Sequence, residues 1–218
     1  MKKFFKIFFI ILFVSIIGVY SFITWQCNSI ISDMANMRVE KNSSFINKYK
    51  EEITRIETKT DDGLKISAWN FSTHKPKAIV IIIHGMHGMD SSSLLNFGKF
   101  FQEHNYESFC LDLRAHGYSE GNRIGFGYKE VNDVNALIDW IQKKDKYKNK
   151  NVILYGISMG GATAINTAAN REDIDQVISV SSFESYESAF IYYMEKEDIP
   201  PFIINLFKPG IRMILLTK

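Results

Sequence analysis

Ser158 stands in the run Tyr155-Gly156-Ile157-Ser158-Met159-Gly160-Gly161, after the apolar stretch "NVIL" and before the small-residue stretch "GGATAINTAAN". G-x-S-x-G between a strand and a helix is the pattern of a nucleophile elbow. The serine must sit on a sharp bend, and the residues two away on each side must lack bulk so that strand and helix can close on each other. Gly156 and Gly160 meet that requirement. The chemistry is acyl transfer: a hydroxyl attacks a carbonyl, and two backbone N–H groups must converge on the oxygen that becomes charged. One amide belongs to the residue after the nucleophile, Met159. The other is expected from Met86 in the loop "IIIHGMHGMD", with Gly85 and Gly88 letting the loop curl.

A hydroxyl also needs a base. The histidines are His74, His84, His87, His104 and His116, and all precede Ser158. His87, in the loop beside the elbow, is the one candidate for an improvised base. Glu184, shortly after the strand that follows the elbow, is a weak candidate acid. No residue pattern calls for a cofactor or a metal. Cys27 and Cys110 are too few for a disulfide framework or a metal cluster.

The elements that must position these groups follow from periodicity. "ITRIETKT" and "LKISAWNF" alternate around "DDG" and read as a hairpin of half-exposed strands. "KAIVIII" (77–83), "ESFCLDL", "NVILYGI" and "QVISVSSF" read as parallel strands covered on both faces. Between them lie helices from about Ser91 to His104, capped by Ser91 or Ser92, with Leu94, Leu95, Phe97, Phe100 and Phe101 on the apolar face. A second runs over "YKEVNDVNALIDWIQKK", with Val131, Val134, Leu137, Ile138 and Ile141 inward. Strands alternating with helices predict an α/β fold with a mostly parallel sheet and helices on both faces.

Residues 7–25 carry no charge, follow Lys2, Lys3 and Lys6, and end at Trp25. A helix of that length is about 28 Å long, enough to cross a bilayer core. The expected organisation is a membrane anchor over 1–27, a polar stalk over 28–50, the catalytic-type core over 51–183, and the start of a cap over 184–218. The lysines predict a cytoplasmic N-terminus with the body outside. A cleaved signal peptide or a buried soluble helix fits the segment less well, since it is long and apolar on every face. Apart from those lysines the chain is nearly neutral, with a net charge of +2 overall, so no nucleic-acid partner is expected.

"HGMHG", "LDLRAHGYSEG" and "GISMGG", in that order, resemble the α/β-hydrolase superfamily, and most of all its membrane-anchored bacterial members grouped with serine aminopeptidases, monoacylglycerol lipases and esterases. The resemblance covers roughly 51–200. It implies a loop-shaping role for Asp112, Arg114, His116, Gly117 and Ser119, with Ala115 where glycine is usual. It implies a serine hydrolase acting on small-molecule or lipid-like acyl esters. It also implies that an acid and a histidine follow the serine on two further strand–helix units, about 60 residues at about 30 per unit. The sequence therefore reads as truncated at its C-terminus, with an apolar edge at "VISVSS" open to a complementing fragment. The alternative is a membrane-tethered binding or assembly module that keeps the fold without the chemistry.

Overall fold

The computed structural model describes residues 2–86, 90–196 and 198–216. Its described residues separate into two compact units, one formed by the N-terminal 34 residues with Ser185 onward, the other by Ala35–Glu184. His87 and Gly88 lie outside the described residues.

The larger unit is built on one mixed sheet. Its strands are β1 (Ile53–Lys59), β2 (Lys65–Phe71), β3 (Ile79–Ile83), β4 (Glu107–Asp112), β5 (Val152–Ile157) and β6 (Gln176–Val180). The order across the sheet is β1-β2-β4-β3-β5-β6. β1 and β2 form the hairpin, β2 runs antiparallel to β4, and β4, β3, β5 and β6 are mutually parallel. The unbroken apolar run of β3 is the signature of a central strand, and Ile79–Ile83 is wholly buried. β1 alternates from Arg55 onward as a half-covered strand should, but β2 does not. It pairs on both edges and is buried from Ile66 onward, so the expectation of two half-exposed hairpin strands holds for β1 only.

Helices α2 (Ser43–Tyr49), α3 (Leu95–Glu103), α4 (Val131–Gln142) and α5 (Met159–Ala168) complete this unit. Adjacent residues of one strand point to opposite faces, and β4 shows helices on both. A Cβ added to Gly98 of α3 would come within 2.9 Å of Cys110 Sγ. The Phe109 ring instead meets Trp140 of α4, edge to face, at 6.3 Å. α3 departs from its predicted form. It opens with a 3-10 turn, Ser91–Leu94, whose N-cap is Asp90. Leu94, Leu95 and Gly98 face the core, while Phe97 and Phe100 are exposed. The close approach of Gly98 to β2 and β4 fixes which side of α3 points inward. In α4, Val134, Leu137, Ile138 and Ile141 are buried as the periodicity requires.

Residues 28–50, expected as a stalk, are mostly exposed, with Ile31, Ala35 and Tyr49 buried. From Arg38 onward they lie along the larger unit. Arg38 donates to the carbonyls of Gly117, Ser119 and Gly121, and Val39 makes a parallel bridge with His116.

The smaller unit holds α1 (Lys2–Ala35), α6 (Tyr186–Lys196) and α7 (Pro201–Leu216). α1 is 34 residues, about 51 Å at 1.5 Å per residue. Its side chains from Phe4 to Phe22 are exposed along their length, and it is long and apolar enough to cross a membrane.

Candidate active site

Ser158 lies between β5, which ends at Ile157, and α5, which begins at Met159. Its backbone has φ 54° and ψ −119°, a region that costs a non-glycine residue about 1–3 kcal/mol. The strain persists because the surroundings over-determine it. The Ser158 amide donates to Val180 O at 2.8 Å, and its carbonyl accepts from Gly161 N at 2.9 Å. Both flanking glycines are required by contact. A Cβ on Gly156 would lie 2.2 Å from Gly160 O, and one on Gly160 would lie 2.2 Å from Ile83 O and 2.5 Å from His84 O. Gly161 is crowded too, 2.5 Å from Ser179 Oγ by the same construction. The bend is thus wedged between the ends of β3 and β6.

The same contacts place the loop after β3. Gly160, in the first turn of α5, presses on the carbonyls of Ile83 and His84, so the segment leading to Met86 starts against the N-terminus of α5. First-turn amides of a helix have no intrahelical acceptor, and Met159 opens α5. The helix N-terminus adds a partial positive charge under the serine. Ser158 and Met86 are both half-buried. Among the described residues, the Ser158 hydroxyl has no hydrogen-bond partner.

The loop that carries Met86 is held at both ends. On one side His84 is fully buried. Its Nδ1 lies 2.6 Å from Gly85 O and its Nε2 accepts from Leu113 N at 3.1 Å. Those partners define a neutral ring with Nδ1–H, and burial, with His116 nearby, lowers its pKa to about 3. On the other side Asp90 accepts from Ser92 Oγ and from Asn42 N at 2.9 Å. Asp90 was not singled out from the sequence. An aspartate directly before three serines is a helix-start signal that would have found it.

The "DLRAHGYS" loop is a hydrogen-bonded staple. Asp112 accepts from Ser91 N and Tyr118 N, and burial pushes its pKa up to about 6. Arg114 grips Asp133 through Nε and Nη2 and reaches Asp62 through Nη1. Burial opposes its charge, but the Asp133 and Asp62 carboxylates outweigh that and hold its pKa above the ordinary value. His116 is fully buried, its Nδ1 lies 2.8 Å from Arg114 O, and its ring packs tilted against His84 at 4.5 Å between centroids. Ala115, where the resemblance expects glycine, has φ 61°, the left-handed backbone that glycine adopts without penalty.

None of the four described histidines offers itself to Ser158. His84 has both nitrogens engaged, and His116 is sealed beside it. His74 precedes β3 and His104 precedes β4, so they lie at the opposite end of the parallel strands, about 16 Å away for five residues. Glu184 is exposed beyond the end of β6. β6 itself is exposed at all five positions and has one pairing partner, β5, among the described residues.

The profile of the family described as serine aminopeptidase, S33, matches residues 74–205. Among curated relatives, an uncharacterized membrane protein of Saccharomyces cerevisiae is 27% identical over 143 residues, which is 65% of this chain and 49% of that protein. The quorum-quenching protein AidA of Acinetobacter baumannii is 30% identical over 126 residues, covering 56% of this chain and 41% of the relative. The chain spans about half the length of the first of these. Among solved structures, an esterase of Pyrococcus furiosus superposes with a TM-score of 0.62 at 25% identity, over 79% of this chain and 68% of the esterase. The sheet order, the elbow between β5 and α5 and the matched profile agree: the chain belongs to the serine aminopeptidase S33 family of α/β-hydrolases.

Proposed function

We propose that this chain carries the nucleophile of a membrane-tethered serine hydrolase acting on lipid-like acyl esters. The observation that carries the reading is the geometry of Ser158: a half-buried hydroxyl on a strained bend, over the first turn of α5, beside the loop of Met86. In this reading Ser158 Oγ attacks the ester carbonyl and its proton passes to a base. The carbonyl oxygen takes the charge and is held by the Met159 and Met86 amides. Collapse expels the alcohol, which leaves with a proton, and water then releases the acid and restores the hydroxyl. That a structural neighbour is an esterase supports ester over amide; the exposed apolar α1 supports a tether, and Lys2, Lys3 and Lys6 before it support an N-terminus on the cytoplasmic side with the body outside.

The reaction needs a histidine and an acid that the described residues do not place at Ser158. We assign their delivery to a segment pairing along β6, because β6 is exposed and its Val180 carbonyl already holds the Ser158 amide. Incubation with p-nitrophenyl octanoate followed by mass spectrometry tests the nucleophile. On prolonged incubation, a slowly formed acyl group on Ser158, absent in Ser158→Ala, is expected. Acylation elsewhere, or an unmodified Ser158, contradicts the reading. A second reading, a tethered binding module, is favoured by a hydroxyl without a partner among the described residues; it predicts ligand binding that Ser158→Ala leaves intact and no acyl adduct.

A further inference from the structure

We infer that α7 is a second membrane contact, lying in the bilayer interface beside the anchor and taking anionic lipid headgroups. This rests on the reading of α1 as a membrane span.

The first ground is position. Tyr186, which opens α6, donates its hydroxyl to Met34 Sδ at 3.6 Å. Met34 follows Trp25 by nine residues on the same helix, about 14 Å of rise. α6 and α7 pack on each other. The helix pair is therefore tied to α1 within about 14 Å, measured along the helix, of the level where Trp25, 61% exposed, would meet the headgroups.

The second ground is surface. Phe202 and Leu206 are one turn apart on α7 and share a face; they are 72% and 42% exposed, while Ile204 is buried at 3%. Tyr192 of α6 is 61% exposed. A soluble helix turns its apolar side inward; here large apolar groups occupy the outward side as well.

The third ground is charge. Residues 199–218 contain no aspartate or glutamate and include Lys208, Arg212 and Lys218. Aromatic and aliphatic side chains combined with cations, without acids, are the composition of helices that lie in the interface of anionic membranes. The acids Glu187, Glu195, Glu197 and Asp198 all lie before α7; a protein partner would account for the apolar surface, but not for an α7 that itself carries only cations next to a bilayer anchor.

Site-directed nitroxide labelling of the full chain in phosphatidylcholine–phosphatidylglycerol vesicles tests this. Labels go at Leu206→Cys, at Ile11→Cys within α1, and at Lys148→Cys as a water reference; Cys27 and Cys110 are buried. Collision with oxygen is compared with collision with a water-soluble nickel chelate. The expected result is an oxygen-dominated environment at 206 and 11 and a nickel-dominated one at 148. Lys208→Glu with Arg212→Glu should shift 206 toward the water reference and leave 11 unchanged. If 11 is in lipid while 206 reads as water, or as shielded from both reagents, the inference is overturned and the anchor stands. If 11 reads as water, the anchor reading falls and this inference with it.

Discussion

Two places at the same end of the sheet hold residue types that do chemistry, and they are built in opposite ways. At the elbow, Ser158 has every backbone group engaged and its side chain without a partner among the described residues. At the end of β3 and β4, His84 and His116 pack with tilted rings in full burial, the His84 nitrogens engaged by Gly85 and Leu113 and His116 Nδ1 by Arg114. The first site fixes the backbone around a hydroxyl and leaves that hydroxyl unengaged among the described residues. The second uses imidazole as a structural strut. Residue identity does not separate the two roles; the partners of each polar atom do.

The comparison breaks most severely at Gly160. Gly160→Val puts a branched side chain on the carbonyls of Ile83 and His84, and should destabilise the larger unit by ~3 kcal/mol or more, with loss of the folded state in urea titration. A modest change would mean that the elbow is not wedged against the loop after β3.

The strut is tested by pH. The unfolded His84 titrates near its ordinary 6.5, the folded one near about 3. Acid therefore protonates the unfolded chain first. Stability linked to His84 is fully present above about pH 6.5 and is lost as pH falls toward about 3. Between pH 7 and pH 5 the wild type should lose ~2 kcal/mol relative to His84→Asn, at about 1.4 kcal/mol per pH unit in the steep part. Asp112 acts in the opposite sense. Its folded pKa of about 6 exceeds its unfolded value, so its burial penalises the fold above about pH 6 and is relieved below it. It is present in both proteins and cancels in the difference. Parallel pH curves for the two would show that His84 is not a neutral strut.

The smallest effect concerns strain. Ser158→Gly should be ~1 kcal/mol more stable than Ser158→Ala, since glycine tolerates φ 54° while alanine keeps the cost. Equal stabilities in thermal melts would remove the claim of a strained elbow.

Much of this was legible in the sequence, and for identifiable reasons. The β3 run, the inward face of α4 and the elbow glycines are local patterns with one physical solution each. The half-buried reading of β2 and the inward reading of Phe97 and Phe100 failed because both depend on neighbours distant in sequence: β4 pairs with β2, and Gly98 sets the rotation of α3. The loop-shaping role of the "DLRAHGYS" stretch was implied by resemblance, but its contacts to Asp62, Asp133 and Ser91 are long-range and carry no local signal. Ala115 shows the reverse. A departure from the usual glycine marks a left-handed residue that is visible only in the backbone angles.

The most direct test is the pH dependence of fluorophosphonate labelling of the full chain at Ser158. A hydroxyl that no imidazole among the described residues serves should be labelled slowly, with a rate that rises about tenfold per pH unit through neutrality, following the alkoxide fraction. A rate that levels off above about pH 7, and loses that plateau in His87→Ala, would show a histidine serving Ser158 within this chain and would contradict the account.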